Sequence, residues 1–224
     1  MGAAIGEMLP LAIGIAISPL PIIAIILILT TPKARDNGLA FLGGWLLGLV
    51  VVGGVVLIVA DSAAVATSSG PSRIAGLVKL VLGLLLLVLA WRGFKRRPKP
   101  GEKAPMPKWM RALDGFTPTR SLAVGALFSG VKPKNLILTA AAAAGIAQSG
   151  RGGVQQVIVL LLLVVVASVG IIAPVGVHFA MGDKAAPVLD GWKTWLAANN
   201  ATVMITLFLV FGVVLIGKGI GGLS

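Results

Sequence analysis

The stretch that decides the fold is Ser129-Gly130-Val131-Lys132-Pro133-Lys134-Asn135. Two lysines, a proline and an asparagine interrupt a segment that is otherwise apolar. A charge deep in a bilayer costs about 2.5–3.5 kcal/mol or more unless it meets a partner or water. Because chains rarely carry such a charge without a use for it, this stretch predicts a binding centre inside a membrane.

Composition supports a membrane location for the whole chain. Of the 224 residues, 57% are hydrophobic and 12% are charged, and the mean hydropathy is +1.02. No soluble domain of this size carries such a balance on its surface. The chain has no cysteine, which excludes disulfides, thiolate metal sites and dithiol electron relays. We therefore expect an integral membrane protein that is not an enzyme and needs neither a metal nor a cofactor.

Six apolar stretches reach or approach the roughly 20 residues that a helix needs to cross about 30 Å of hydrocarbon. They are Met8 to Thr31, Leu39 to Ala60, Ile74 to Trp91, Ser121 to Gln148, Val154 to Phe179, and Ala201 to Gly217. Asn199-Asn200 is expected to form the N-cap of the last helix. The sequence thus predicts an all-α integral membrane fold with six transmembrane helices.

An internal repeat relates the two halves of the chain. The run Leu11-Ala12-Ile13-Gly14-Ile15-Ala16-Ile17-Ser18-Pro19 recurs 111 positions later as Leu122-Ala123-Val124-Gly125-Ala126-Leu127-Phe128-Ser129-Gly130. Three spans per copy reverse the direction of the second copy, which gives an inverted 3+3 repeat of the kind that builds alternating-access carriers. The expected divisions are a three-helix repeat at residues 1–94, a basic loop at 95–118 and a second three-helix repeat at 119–224.

The first helix of each repeat should be broken near mid-depth. Pro19, Pro21 and Pro133 each remove a backbone donor and so free a carbonyl about four residues earlier, which a neighbour, water or a ligand must satisfy. The predicted substrate-binding residues are Ser18, Pro19, Pro21, Ser129, Gly130, Lys132, Pro133, Lys134 and Asn135. Two alternatives stay open: kinked helices repaired by Ser18 or Ser129, and a re-entrant segment that returns the lysines to the cytoplasmic interface.

The distribution of Lys and Arg predicts the orientation, because cationic loops are retained in the cytoplasm. Thirteen lie on the side of the Arg92 to Arg120 loop and four on the other side. Both termini should therefore be extracytoplasmic. The formal charge of +12 mostly reflects the retention of basic loops in the cytoplasm and does not indicate nucleic-acid binding. We expect the Arg92 to Arg120 loop to contact anionic lipid headgroups.

The charge inside the membrane predicts the kind of cargo. Lys132 and Lys134 are the formal charges well inside the apolar stretches, so the field favours an anion such as a lipid phosphate, sulfate or carboxylate. Helix N-termini after Pro21 and Pro133 add positive dipole ends. Lys79, Lys218 and His178 lie near helix ends, where we expect them to snorkel or cap.

Several motifs together resemble a known family. They are Ala16-Ile17-Ser18-Pro19-Leu20-Pro21-Ile22-Ile23-Ala24, Thr31-Pro32-Lys33-Ala34-Arg35, Phe41-Leu42-Gly43-Gly44-Trp45 and Gly130-Val131-Lys132-Pro133-Lys134-Asn135. The chain resembles, over almost its whole length, the GAP family of actinobacterial membrane proteins, also called sulfolipid- or peptidoglycolipid-addressing. That family is grouped with the lysine exporter (LysE) superfamily. The resemblance implies a six-helix protein of the bacterial plasma membrane that moves envelope glycolipids toward the surface.

Three functions remain open from the sequence. The first is a carrier or flippase component for an anionic or glycosylated lipid, and the second is an exporter of a small solute such as an amino acid. The third is a non-transporting scaffold that docks an envelope-lipid synthase or larger transporter through the 95–118 loop. Expected partners are membrane lipids and a second copy of the chain, with no nucleic acid.

Overall fold

The computed structural model describes residues 2–66, 73–95, 116–149 and 152–222. Its helices are α1 (Gly2–Ala16), α2 (Pro19–Leu29), α3 (Ala34–Ala66), α4 (Arg73–Lys95), α5 (Pro118–Gly130), α6 (Pro133–Ala147), α7 (Gly153–Met181) and α8 (Ala185–Gly221). A 3-10 turn at Gly182–Lys184 joins α7 to α8, and no strand occurs in these ranges. The all-α class is confirmed. The predicted basic loop at 95–118 lies, except for its ends, outside the described residues, and the three-part division of the chain stays a prediction.

Both predicted helix breaks are present. The α1–α2 pair bends by 53° at Ile17 and Ser18, and Val131 and Lys132 separate α5 from α6. Pro19 and Pro133 are the first residues of α2 and α6. A proline suits the first helical position because its missing N–H has no intrahelical acceptor there. The prolines therefore start new helices rather than kink continuous ones.

Length and hydropathy identify fewer spans than the sequence predicts. Within the described residues, Ala34–Ala60, Gly76–Lys95 and Gly153–Gly221 are long and apolar enough to cross a membrane, and the bent α1–α2 pair adds a fourth. The third run contains both α7 and α8, whereas α5 and α6 have 13 and 15 residues and are too short to count alone. The structure thus supports an apolar helical membrane protein, while the six-span inverted repeat stays a prediction.

The start of the last helix was predicted wrongly. Helix α8 begins at Ala185 and not near residue 200, so Asn199 and Asn200 lie in its interior. Nδ2 of Asn199 donates to the carbonyl oxygen of Trp195 at 2.9 Å. This bond to the preceding turn allows the helix to continue through Asn199. Hydropathy falls at this residue and so, taken alone, wrongly indicates the end of a helix.

Close glycine contacts set the packing of the helices. A Cβ added at Gly44 of α3 would overlap the carbonyl of Leu122 in α5, and one at Gly125 would overlap the carbonyl of Phe41. Gly48, further along α3, meets Ser129, further along α5, so the two helices run parallel. Small residues at such contacts let the two helix backbones approach closely. The resulting van der Waals contacts stabilise helix packing in lipid, where the hydrophobic effect does not drive helices together.

Polar contacts define two ends of the bundle. At one end Nζ of Lys218 donates to the Glu7 carbonyl at 3.3 Å, and Nζ of Lys79 donates to Oε1 of Gln148 at 3.2 Å. At the other end Nδ2 of Asn37 donates to the Phe116 carbonyl at 3.0 Å. The start of α1 and the end of α8 therefore lie on the same side of the bundle. The α5–α6 pair runs from one end of the bundle to the other and does not turn back.

Candidate functional site

The candidate site is the junction, which we define as the two helix breaks at Ile17–Ser18 and Val131–Lys132 with the residues bonded to them. Ser129 contacts Gly48, which lies near the centre of the apolar Ala34–Ala60 run. A Cβ at Gly170, in the middle part of α7, would overlap the carbonyl of Ala16. Each break therefore lies level with the middle part of an unbroken helix, α7 for the first break and α3 for the second, while their depth in a membrane stays a prediction.

Three carbonyls lose their usual donors at the first break. The Ser18 amide donates to Ala16 instead of to the carbonyl of Gly14. Proline has no N–H, so Pro19 leaves the Ile15 carbonyl without a helical donor, and Pro21 leaves that of Ile17 in the same state. Buried backbone acceptors are nearly always paired in folded proteins. Other donors must therefore reach this break.

Side chains supply all three donors. Oγ of Ser18 donates to the Ile15 carbonyl at 2.7 Å. Nζ of Lys134, 120 positions away in sequence, donates to the Gly14 carbonyl at 2.7 Å and to that of Ile17 at 2.9 Å. Lys134 is only 2% exposed. Its ammonium therefore caps the broken end of α1 from the opposite half of the chain.

Asn135 repairs the second break and joins it to the first. The amides of Val131 and Lys132 both donate to the Leu127 carbonyl, which leaves that of Phe128 without its helical donor. Nδ2 of Asn135 donates to the Phe128 carbonyl at 2.8 Å. Oγ of Ser18 also lies 3.1 Å from Oδ1 of Asn135, so the hydroxyl proton of Ser18 is shared between this oxygen and the Ile15 carbonyl. Both side chains are fully buried.

Lys132 differs from Lys134 in its surroundings. It is the N-cap residue of α6 and its side chain makes no capping bond. Its Nζ is buried and has no hydrogen-bond partner among the described residues; it lies 5.5 Å from the centroid of the Phe128 ring. Val131 beside it is 62% exposed, and Pro133 is also exposed. The second break thus faces the outside of the bundle with a cation just beneath its surface.

The structure brings together most of the predicted site residues. Ser18, Lys134 and Asn135 are linked directly, and Pro19 and Pro21 create acceptors that these side chains and their neighbours satisfy. Ser129 and Gly130 lie toward α3 instead, where Oγ of Ser129 donates to the Ala126 carbonyl at 3.2 Å. No observation tests whether any of the nine residues binds cargo, so that role stays a prediction.

Several buried polar residues were missed by the sequence reasoning. Asn37, Trp45, Ser121 and Thr139 are at most 1% exposed. Each stands in or beside a predicted span, so a search for every polar group within the apolar stretches, and not only for charges, would have found them. Their burial depends on which helices face one another, which periodicity alone does not give.

A cleft opens at the end of the bundle that holds Glu7. It is a shallow cleft, and its lining includes Met8, Leu11, Lys79, Ile146 and Lys218. Lys79 bonds to the side chain of Gln148 at the end of α6, and Lys218 bonds to the Glu7 carbonyl within α1; their snorkelling or capping role stays a prediction. Within the described ranges no group of three or more His, Asp or Glu residues is arranged to hold a metal ion.

Comparison with known proteins identifies a family for the chain. The family model described as Sap, sulfolipid-1-addressing protein, matches residues 8–221. No curated protein and no solved structure matches the chain. The family match includes both broken helix pairs and the lysines between them. The chain therefore belongs to the sulfolipid-1-addressing protein family.

Proposed function

We propose that the protein is a carrier or flippase component that moves an anionic glycolipid of the sulfolipid class toward the cell surface, and that it is not an enzyme. The observation that carries the proposal is the ammonium of Lys132, which is buried beside the second helix break without a hydrogen-bond partner among the described residues. A buried charge of this kind is expensive unless something compensates it. The anionic headgroup of the cargo is the compensation that we propose.

The chemistry around Lys132 favours an anion. The ammonium stands at the N-terminus of the 15-residue helix α6, whose unpaired N–H groups and dipole also attract negative charge. A sulfate or phosphate accepts charge-assisted hydrogen bonds, which are roughly twice as strong as neutral ones. The family description names a sulfolipid, which is consistent with this preference.

The position of the second break favours a lipid over a small solute. Val131 is 62% exposed and Leu136 is 39% exposed, and in a membrane these surfaces contact acyl chains. A lipid can therefore keep its tails in the bilayer while its headgroup enters beside Lys132. Lys134 already donates two bonds to carbonyls, so we assign the first contact with cargo to Lys132 and the shaping of the site to Lys134.

We further propose that α1–α4 and α5–α8 form the inverted 3+3 repeat, with each broken pair counting as one span. The matching breaks and the end-to-end course of α5–α6 support this architecture. The bias of positive charge places the Glu7 end outside the cell and the Asn37 end in the cytoplasm. The 95–118 loop would then face the cytoplasm, where it contacts anionic lipids and can dock a lipid synthase.

The test compares lipid binding by matched lysine variants in nanodiscs. The probes are a sulfated glycolipid and its unsulfated counterpart with the same acyl chains. Loss of a charge-assisted bond in Lys132→Gln should weaken binding of the sulfated lipid by about 1–3 kcal/mol, or roughly 5- to 150-fold. Lys218→Gln is the control, because that ammonium is only partly buried and bonds to the Glu7 carbonyl.

Each alternative function has its own outcome. Equal affinity of the parent and of Lys132→Gln for the sulfated lipid would refute the proposed role of Lys132. A preference of the purified protein for a soluble amino acid over both lipids would support a small-solute exporter. Absence of any lipid movement between leaflets of proteoliposomes, with normal recruitment of a lipid synthase, would support the scaffold.

A further inference from the structure

Five buried polar atoms without a hydrogen-bond partner in the described ranges lie on or beside one seam, where α3 packs against α5 and α6. They are Oδ1 of Asn37, Nε1 of Trp45, Oγ of Ser121, Nζ of Lys132 and Oγ1 of Thr139. The one other atom of this kind in those ranges, Oδ1 of Asn200, belongs to α8. Lys132 is linked to the seam through the Phe128 ring, whose centroid lies 5.5 Å from its Nζ and 6.4 Å from that of Phe41 in α3. The concentration of such atoms in a single seam points to a shared cause.

The packing of the helices places these atoms in order. Asn37 bonds to Phe116, just before α5, at the end where the seam begins. Gly125 of α5 packs against the Trp45 backbone of α3, so Ser121, one turn earlier in α5, precedes this level. The methyl group of Thr139 lies 3.7 Å from the position of a Cβ at Gly53. From Asn37 to Gly53 the seam extends about 24 Å at helical rise.

The backbone of the described residues does not satisfy these groups. Elsewhere the hydroxyls of Ser18, Ser129 and Ser168 donate to carbonyls three or four residues earlier. Those of Ser121 and Thr139 make no such bond, although both residues lie within helices. The indole N–H and the ammonium are donors only, so they need acceptors from another source. Each buried polar group left unpaired costs about 1–3 kcal/mol.

We infer that the seam holds a file of ordered water molecules that leads from the Asn37 end of the bundle past Lys132 to Thr139. Water both donates and accepts, and buried waters typically bond to protein groups that lack other partners. The file connects Lys132 to the aqueous phase at one end only, which is the cytoplasmic end if the charge bias gives the orientation. The inference concerns the access of water along the seam and not the binding of a lipid, so it stands apart from the proposed function.

The absence of native cysteine allows a direct accessibility test. Ser121→Cys and Thr139→Cys place a thiol on the seam. Ala24→Cys and Ala167→Cys place one at fully buried positions in α2 and α7 and serve as controls. Inside-out vesicles are treated with Ag⁺, a thiol-reactive ion close to water in size, and free thiols are then counted with a maleimide after unfolding in detergent.

We expect Ag⁺ to block both seam thiols at least ten times faster than the control thiols. Seam thiols that react as slowly as the controls would overturn the inference, and so would blocking that is equally fast in intact cells and in inside-out vesicles. The lipid affinity of Lys132→Gln is a separate measurement. Failure of the water inference can therefore be distinguished from failure of the proposed function.

Thermal stability gives a second test with a definite sign. Thr139→Val removes a hydroxyl at nearly constant shape. If that hydroxyl binds ordered water, the variant should unfold at a lower temperature than the parent. If the seam is dry, removing an unpaired polar group should raise the unfolding temperature, which would contradict the inference. Ser168→Ala is the control for loss of a hydroxyl that already bonds to its own helix.

Discussion

Replacing Lys134 by methionine should destabilise the protein far more than the same replacement at Lys132. Methionine keeps the length and flexibility of the side chain but has no N–H donor. In Lys134→Met the carbonyls of Gly14 and Ile17 lose the donors that lie 2.7 and 2.9 Å from them. In Lys132→Met no hydrogen bond to the described residues is lost, and the desolvation cost of a buried charge is removed.

The magnitude follows from the two bonds of Lys134. Hydrogen bonds between transmembrane helices average about 0.6 kcal/mol and reach about 1.7 kcal/mol, and a charged donor roughly doubles these values. Two such bonds give a loss of about 2–7 kcal/mol in the free energy of unfolding for Lys134→Met. We expect Lys132→Met to cost much less, because it breaks no hydrogen bond to the described residues and removes the cost of burying a charge.

Equilibrium unfolding in mixed micelles, followed by the fluorescence of the five tryptophans, measures both free energies. The parent and the two variants are compared at equal detergent-to-protein ratio. A value for Lys134→Met within about 0.5 kcal/mol of the parent, the usual range for an inconsequential surface change, would refute the capping role. A loss for Lys132→Met as large as that for Lys134→Met would show that Lys132 has an unrecognised structural partner.

Three further predictions concern the second break, the helix packing and the orientation. Asn135→Leu should lower the free energy of unfolding by about 1–3 kcal/mol, because a buried carbonyl loses its donor; an unchanged value would contradict this. Gly44→Ala should cost about 1–3 kcal/mol by forcing α3 from α5, whereas Gly43→Ala, where a Cβ meets nothing within 4 Å, should leave the thermal midpoint unchanged. In intact cells an impermeant maleimide should label Ser69→Cys but not Ala104→Cys, and the reverse pattern would overturn the predicted topology.

The sequence predicted the breaks in the helices well because they depend on local chemistry. A proline lacks an N–H wherever it stands, so Pro19 and Pro133 had to interrupt the backbone ladder regardless of their neighbours. The extent of α8 was predicted poorly because hydropathy marks the membrane and not the helix. A helix continues through polar residues such as Asn199 when their side chains bond to the preceding turn.

What the sequence by itself determined is the class of protein and the kind of groups at its centre. Its hydropathy requires a membrane, and its prolines require two breaks with lysines beside the second one. Only the tertiary structure decided which lysine does what. The packing of α1 against α6 brings Lys134 to carbonyls 120 and 117 positions away, while Lys132, two residues earlier, reaches none among the described residues. Composition and spacing do not distinguish the two, because the difference lies in which backbone each ammonium can reach after the helices have packed.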